Sequence, residues 1–181
     1  MKGIDQIAAY ARAWADALQD DGSILVRDTS GAEWRGWLHP EWTTGSWLDL
    51  VGRVADLKSA YKQLPVNPVN RALSIIAVRN PEGKVSLFRG LSMMFGEVAA
   101  VYAFLRFSRA IAALAASLFS LVVVEFFDDF SQMDARASSS SDQVAMEALV
   151  DLLGWQLSTT DQKRKPFEDV FVSLGVEVSF K

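Results

Sequence analysis

Between Val122 and Phe130 the chain reads VVVEFFDDF, a β-branched and aromatic run that carries two adjacent carboxylates near its end. Val and Phe favour a pleated, half-buried surface. Adjacent Asp side chains repel one another and suit a turn. No Gly, Pro or Asn stands beside the pair, unlike Asp20-Asp21-Gly22, where a helix end is expected to run into a loop. Asp128 and Asp129 are therefore expected at the tip of a tight hairpin inside a core, and carboxylates held there need a cation.

That cation would be held by oxygen. The 181 residues include no Cys and a single His, His39. This excludes disulfides, thiolate zinc sites, Cys nucleophiles and His-rich metal sites. Mg²⁺ or Mn²⁺ suits the donors that remain. The lack of Cys also suits a reducing, intracellular compartment, cytoplasmic or nuclear. The start, Met1-Lys2-Gly3-Ile4-Asp5, lacks the apolar core of a signal peptide. Half the residues are apolar and 22% charged, a globular composition, and the length suits one domain or one domain with an appendage. The longest uncharged apolar run, Ala110 to Val124, spans about 15 residues against the ~17–25 of a bilayer span. Its Val122-Val123-Val124 end reads as a strand, so no membrane partner is expected. The net charge of −4 argues against a free-standing nucleic-acid binder, because neutralising phosphates takes a basic face.

Along the chain, Ile4, Ile7, Ala11, Trp14 and Leu18 recur at helical spacing. Ile24 to Asp28 and Ala32 to Leu38 then read as a hairpin. Five of the six Trp fall in these first fifty residues, which suggests packing in a core or interface. Leu50 to Ala55 is strand-like and ends at Asp56, and Leu57 to Leu64 reads as two turns of helix before Pro65. Leu73 to Arg79 and Lys84 to Arg89 form a second hairpin around Asn80-Pro81-Glu82-Gly83, a type I turn by composition. Gly96 to Leu118 is the longest helix, followed by the strand Leu121 to Phe127 and a return strand from Phe130 to Met133. Ser140 with Gln143 suggests a capping box for a helix reaching Leu153. Trp155 to Leu157, Val170 to Leu174 and Val176 to Phe180 are strand-like, around the basic loop Lys163-Arg164-Lys165-Pro166. An α+β fold is expected: a three- to four-stranded antiparallel sheet backed by two helices (50–181), with an N-terminal helix and β-hairpin appendage (1–49). In such a sheet Asp56, Asp128 and Asp129 converge. Two divalent cations about 3.5–4 Å apart, bridged by such aspartates, would stabilise both oxygens of an in-line phosphoryl displacement.

The words around these acids carry a resemblance. DLKSAYKQLPV (56–66), FFDDF (126–130) and LGWQLSTTDQKRKPFEDVFVSLGVEV (153–178) resemble, in that order, the palm motifs of retroelement reverse transcriptases, closely those of retrotransposons of the Ty3 and DIRS type. LFRGLSMMFGEVAAVYAFLRFSRAI (87–111) is similar to the segment that carries a Leu-Pro-Phe-Gly signature before a long helix, with Met94 in place of the Pro. The likeness runs from about Val54 to Phe180 and implies an RNA-directed DNA polymerase palm, in a truncated copy lacking much of the fingers and the thumb. It implies that Asp56 and Asp128 bind two Mg²⁺ or Mn²⁺ ions and that Asp129 supports them. Tyr61 corresponds to the aromatic gate under the incoming sugar, or else is a core Tyr covering the sheet edge. Phe95 and Gly96 match the nucleotide pocket and template contact. Lys163 matches the group that neutralises the pyrophosphate, with Lys165 a competitor and a solvated basic loop the plain alternative. The hairpin at Leu174-Gly175-Val176-Glu177-Val178 resembles the primer grip. Expected partners are a template-primer and a deoxynucleoside triphosphate, with fingers and thumb supplied by a partner chain or missing. A different reading remains open, in which the chain is a catalytically silent retroelement remnant that acts as a folded interaction module.

Overall fold

The computed structural model describes residues 3–44, 47–160 and 164–180. Helix α1 (Ile4–Ala17) leads to the hairpin β1 (Ser23–Arg27) and β2 (Glu33–Trp37), then the short pair β3 (Thr43–Thr44) and β4 (Trp47–Leu48). Strand β5 (Leu50–Asp56) precedes a second hairpin, β6 (Ile75–Arg79) and β7 (Val85–Arg89). Helix α2 (Val98–Phe119), β8 (Val122–Phe126), β9 (Asp129–Ala135) and α3 (Arg136–Leu152) follow, and the hairpin β10 (Val170–Ser173) and β11 (Val176–Ser179) closes the chain. The class is α+β, with every strand pair antiparallel.

The central sheet has the order β5-β9-β8. Because side chains alternate along each strand, it has two faces. Ala55, Val123 and Phe130 point to one of them, where α2 and α3 supply Phe104, Ile111, Ala115, Met146, Leu149 and Val150 to a single apolar cluster. By length and composition α2 could cross a bilayer, yet here it is the helix layer of that cluster. On the opposite face lies the β10–β11 hairpin. Its Phe171 ring sits over Gly52, where an added Cβ would come within 2.1 Å of the ring. A strand glycine of this kind marks a close approach. Ser131 and Ser173 hydroxyls share a 2.7 Å hydrogen bond across the same interface.

A fourth strand is only sketched. Gly52 and Glu168 exchange backbone hydrogen bonds of 3.0 and 2.9 Å, and Ser158 N–H donates to the Asp56 carbonyl at 2.8 Å. Residues 156–160 and 164–168 thus cover the outer edge of β5 with isolated bridges. Of the strand expected at Trp155 to Leu157, only the Leu57–Leu157 bridge forms.

Three local expectations are corrected. Helix α3 begins at Arg136, directly after β9, without the Ser140–Gln143 capping box. The serines join the helix because Ser138, Ser139 and Ser141 hydroxyls donate to carbonyls three residues back. The two-turn helix expected at 57–64 is a single 3₁₀ turn, Ala60–Gln63. Trp34 and Trp37 on β2 and Trp47 on the two-residue strand β4 are exposed rather than packed in a core, because these strands form two-stranded ribbons outside the central sheet.

Candidate functional site

Strand register brings two of the three acids together. Asp56, the last residue of β5, lies directly opposite Asp129, the first of β9. The Asp56 carbonyl bonds outward to Ser158, so Asp56 and Asp129 form a non-hydrogen-bonded cross-strand pair, the kind whose side chains stand closer. Their Cβ atoms are roughly 4.5–5.5 Å apart by strand geometry, on the face that carries the β10–β11 hairpin.

The turn between β8 and β9 is Phe127-Asp128, since Phe126 pairs with Asp129. Phe127 has φ 55°, a left-handed conformation that two-residue hairpin loops require and that Gly or Asn usually supplies. Surrounding structure holds it there. The Ser108 hydroxyl of α2, fully buried, donates to the Phe127 carbonyl at 2.5 Å. From β5, Leu57 N–H donates to the Asp128 carbonyl at 3.0 Å. Strain of this kind persists where neighbours over-determine it, and it concentrates at functional sites. The twin acids are half-buried at the hairpin tip rather than inside a core, because the helices cover only the opposite face of the strands.

Asp56 and Asp129 line a cleft of about 280 Å³ together with Arg53, Lys165, Glu168 and Phe171. Lys165 Nζ lies 3.7 Å from Glu168, so this cation stands in the same cleft as the two acids. Lys163 falls outside the described residues. Asp128 is not part of that lining. Its charge acts instead on Tyr61, whose hydroxyl is pushed up first by burial and then by Asp128. Tyr61 belongs to the core cluster, its ring 4.7 Å from Phe104 and 4.9 Å edge-on from Phe95. Phe95 is itself 86% exposed, and Gly96 beside it has φ 94°. Asp56 and Asp129 thus line the cleft with Lys165, whereas Asp128 sits in the turn, its charge reaching Tyr61, whose ring meets Phe95.

The donor chemistry of Asp56 and Asp129 fits a hard divalent cation, which takes one or two carboxylates and keeps several waters. Among the described residues, no group of three or more His, Asp or Glu is gathered to hold a metal ion.

Sequence reasoning missed the support beneath the cleft. Arg53, 2% exposed, donates through Nε to Gln132 at 2.8 Å and through Nη1 to Glu147 of α3 at 3.2 Å, and its guanidinium lies 5.5 Å from the Phe167 ring. Glu147 also accepts from Arg164 at 2.7 Å, which ties the basic loop to α3. Burial opposes ionisation of Glu147, but hydrogen bonds from Arg164, Gln143 and Arg53 outweigh it and hold the carboxyl below its ordinary range. An Arg three residues before a strand-end Asp was the available signal.

A second acidic pair lies on the helix side of β9. Asp134 is buried, and Asp142 of α3 shares a hydrogen bond with it. Burial first, then that bond and the charge of Asp134, push the Asp142 carboxyl from 3.8 up to about 7. With both groups ionised, Asp134 Oδ2 has no donor, and a proton on Asp142 provides one. A carboxyl raised in the folded state stabilises below its unfolded value and loses that contribution as pH rises through its folded value. Stability should therefore fall from about pH 4 to 7, by about 1–2 kcal/mol once solvent screening of the half-exposed Asp142 is allowed for. Asp142→Asn is expected to flatten that slope and to stabilise the protein at pH 8. Urea midpoints at pH 5 and pH 8 check it, and an unchanged slope in the variant would refute the assignment.

Against known proteins, the chain matches no family model and no curated protein.

Proposed function

We propose that this chain is the palm of an RNA-directed DNA polymerase, which joins a deoxynucleoside triphosphate to a primer 3′-hydroxyl. The observation that carries the reading is the Asp56–Asp129 pair, directly opposed at the mouth of a cleft and next to a turn clamped from α2 and β5. The order of the motifs around these acids supports it as well. A bound pair of Mg²⁺ or Mn²⁺ ions would lower the pKa of the primer hydroxyl and offset charge developing on the phosphates. Asp56 and Asp129 would hold such ions with their carboxylates, and Asp128 would join them from the turn. Lys165, or Lys163 in the same loop, neutralises the departing pyrophosphate. Tyr61, packed under Phe95, sets the floor on which a sugar ring would rest, with Gly96 leaving room for the backbone to approach the base.

The other reading, a silent remnant acting as an interaction module, is favoured by the exposed Trp34, Trp37 and Trp47. Two measurements separate the readings. Primer extension on an RNA template, with Mg²⁺ or Mn²⁺ against chelator, is expected to show metal-dependent product, and the same ions are expected to raise the melting temperature. No product and a metal-independent melting temperature would leave the remnant.

A further inference from the structure

Helix α1 carries apolar residues on one face, where Ile4, Ile7, Ala8, Ala11 and Ala15 recur every three or four positions. A stripe of this kind is normally sealed against a core, yet of these five only Ile7 is buried. The stripe instead walls a groove of about 850 Å³, within the ~300–1,000 Å³ of small-molecule sites. The buried Ile7 and Leu50 form its floor, and Leu48, Val178 and Phe180 line the side away from the helix. Phe180 is steadied by the Phe171 ring, 5.9 Å away. Trp47 also lines the groove and is 75% exposed, a large ring left wet beside an apolar trough. The groove is remote from the acidic cleft, because Leu50 opens β5 and Asp56 closes it, six strand steps or roughly 20 Å apart.

Charge narrows what the groove can hold. Arg12, Asp49 and Arg136 are the charged side chains in its lining, and two of them neutralise each other. Arg136 donates to Asp49 through Nε at 2.8 Å and through Nη2 at 3.1 Å, and Nη2 reaches Asp169 as well. Arg12 is left over. It is exposed and, among the described residues, enters no ion pair, although Asp16 stands four residues on along the same helix. The groove is therefore an apolar trough with one uncompensated positive charge on its flank.

We propose that this groove binds a single-chain amphiphile with an anionic head, a long-chain carboxylate. Its alkyl chain would lie along α1, which runs roughly 16 Å from Ile4 to Ala15. The methyl-sized side chains of Ala8, Ala11 and Ala15 keep that path open, where Leu or Ile would fill it. The head would accept paired N–H bonds from the Arg12 guanidinium, the fork geometry that suits a carboxylate. A polyanion is a poor match, because its several charges would meet one free cation and an apolar floor. None of the three aspartates takes part, so the site stands or falls separately from the polymerase reading.

The test is calorimetric titration of the whole chain with octanoate, decanoate and dodecanoate below their micelle concentrations, with Trp fluorescence read in parallel. Saturable binding is expected, tightening by about 4-fold for each added CH₂. Dodecyltrimethylammonium, with the same chain and the opposite head charge, should bind at least 10-fold more weakly than dodecanoate. Arg12→Gln should weaken dodecanoate by about 5-fold and leave 1-dodecanol unchanged. Ala8→Phe, at an exposed helix position, should narrow the trough and weaken dodecanoate at least 10-fold with unchanged circular dichroism. Trp47→Phe should remove most of the fluorescence change without abolishing the heat of binding. Absence of saturable binding would overturn the proposal. So would equal affinity for both head charges together with no effect of Ala8→Phe, which would mean adsorption to scattered apolar surface. A dimer in sedimentation that Ala8→Phe dissociates and dodecanoate does not would also overturn it, by giving the trough to a second copy of the chain.

Discussion

Asp56→Asn is expected to lower nucleotidyl transfer by about 10³-fold or more, and to abolish the metal-dependent rise in melting temperature. The side chains are nearly isosteric, so β5 should keep its register with β9 and its edge bond to Ser158. What changes is charge. Asp56 and Asp129 face each other across a non-hydrogen-bonded pair, and the replacement takes one negative charge out of the cleft they line. The same change removes one of the two hard oxygen donors that the cleft offers a divalent cation. Melting curves with and without Mg²⁺ or Mn²⁺, run beside primer extension, read both effects. A variant that keeps activity, or keeps a metal-dependent rise in melting temperature, would remove Asp56 from the proposed chemistry.

Glu147→Ala is expected to cost about 3 kcal/mol of stability, a large part of the ~5–15 kcal/mol that holds a domain together. Arg53 sits almost wholly buried behind the cleft, and burial already pulls its guanidinium below its ordinary value, offset in part by the hydrogen bond and charge of Glu147. Arg53 Nη2 has no partner even with Glu147 present. Without that carboxylate the buried charge is uncompensated, and Arg164 loses its anchor on α3. The double change Arg53→Met with Glu147→Leu removes both charges and is expected to recover most of the loss, because well-packed apolar residues replace buried ion pairs at little cost. Urea midpoints of both variants decide it. A single variant as stable as the wild type would show that Arg53 finds another partner.

Arg53 and Glu147 also illustrate why part of the site was illegible beforehand. They are 94 residues apart, and no periodicity links them. The same holds for Ser108, whose hydroxyl clamps Phe127 across 19 residues; in the sequence it is one polar residue inside an apolar helix. The Asp128-Asp129 hairpin, by contrast, was readable, because two acids in a β-favouring run leave few conformations other than a reversal. Where composition misled, local preference met a tertiary alternative. The Ser140–Gln143 pair suggested a helix start there, but the Ser138, Ser139 and Ser141 hydroxyls found carbonyls three residues back and the helix begins at Arg136.

By itself the sequence determined the α+β class, the three hairpins and the long helix, the strand that ends at Asp56 and the turn that carries the twin acids. These follow from side-chain period, turn chemistry and the repulsion of adjacent carboxylates, all of which act within a few residues. Only the tertiary structure decided that Asp56 faces Asp129 rather than Asp128, that Phe171 needs Gly52 beneath it, and that Tyr61 lies in the core beside Phe95. Those outcomes depend on strand register and on which distant surfaces meet. Such contacts are set by the packing of the whole chain, where one residue of slip would carry an acid to the other face of the sheet.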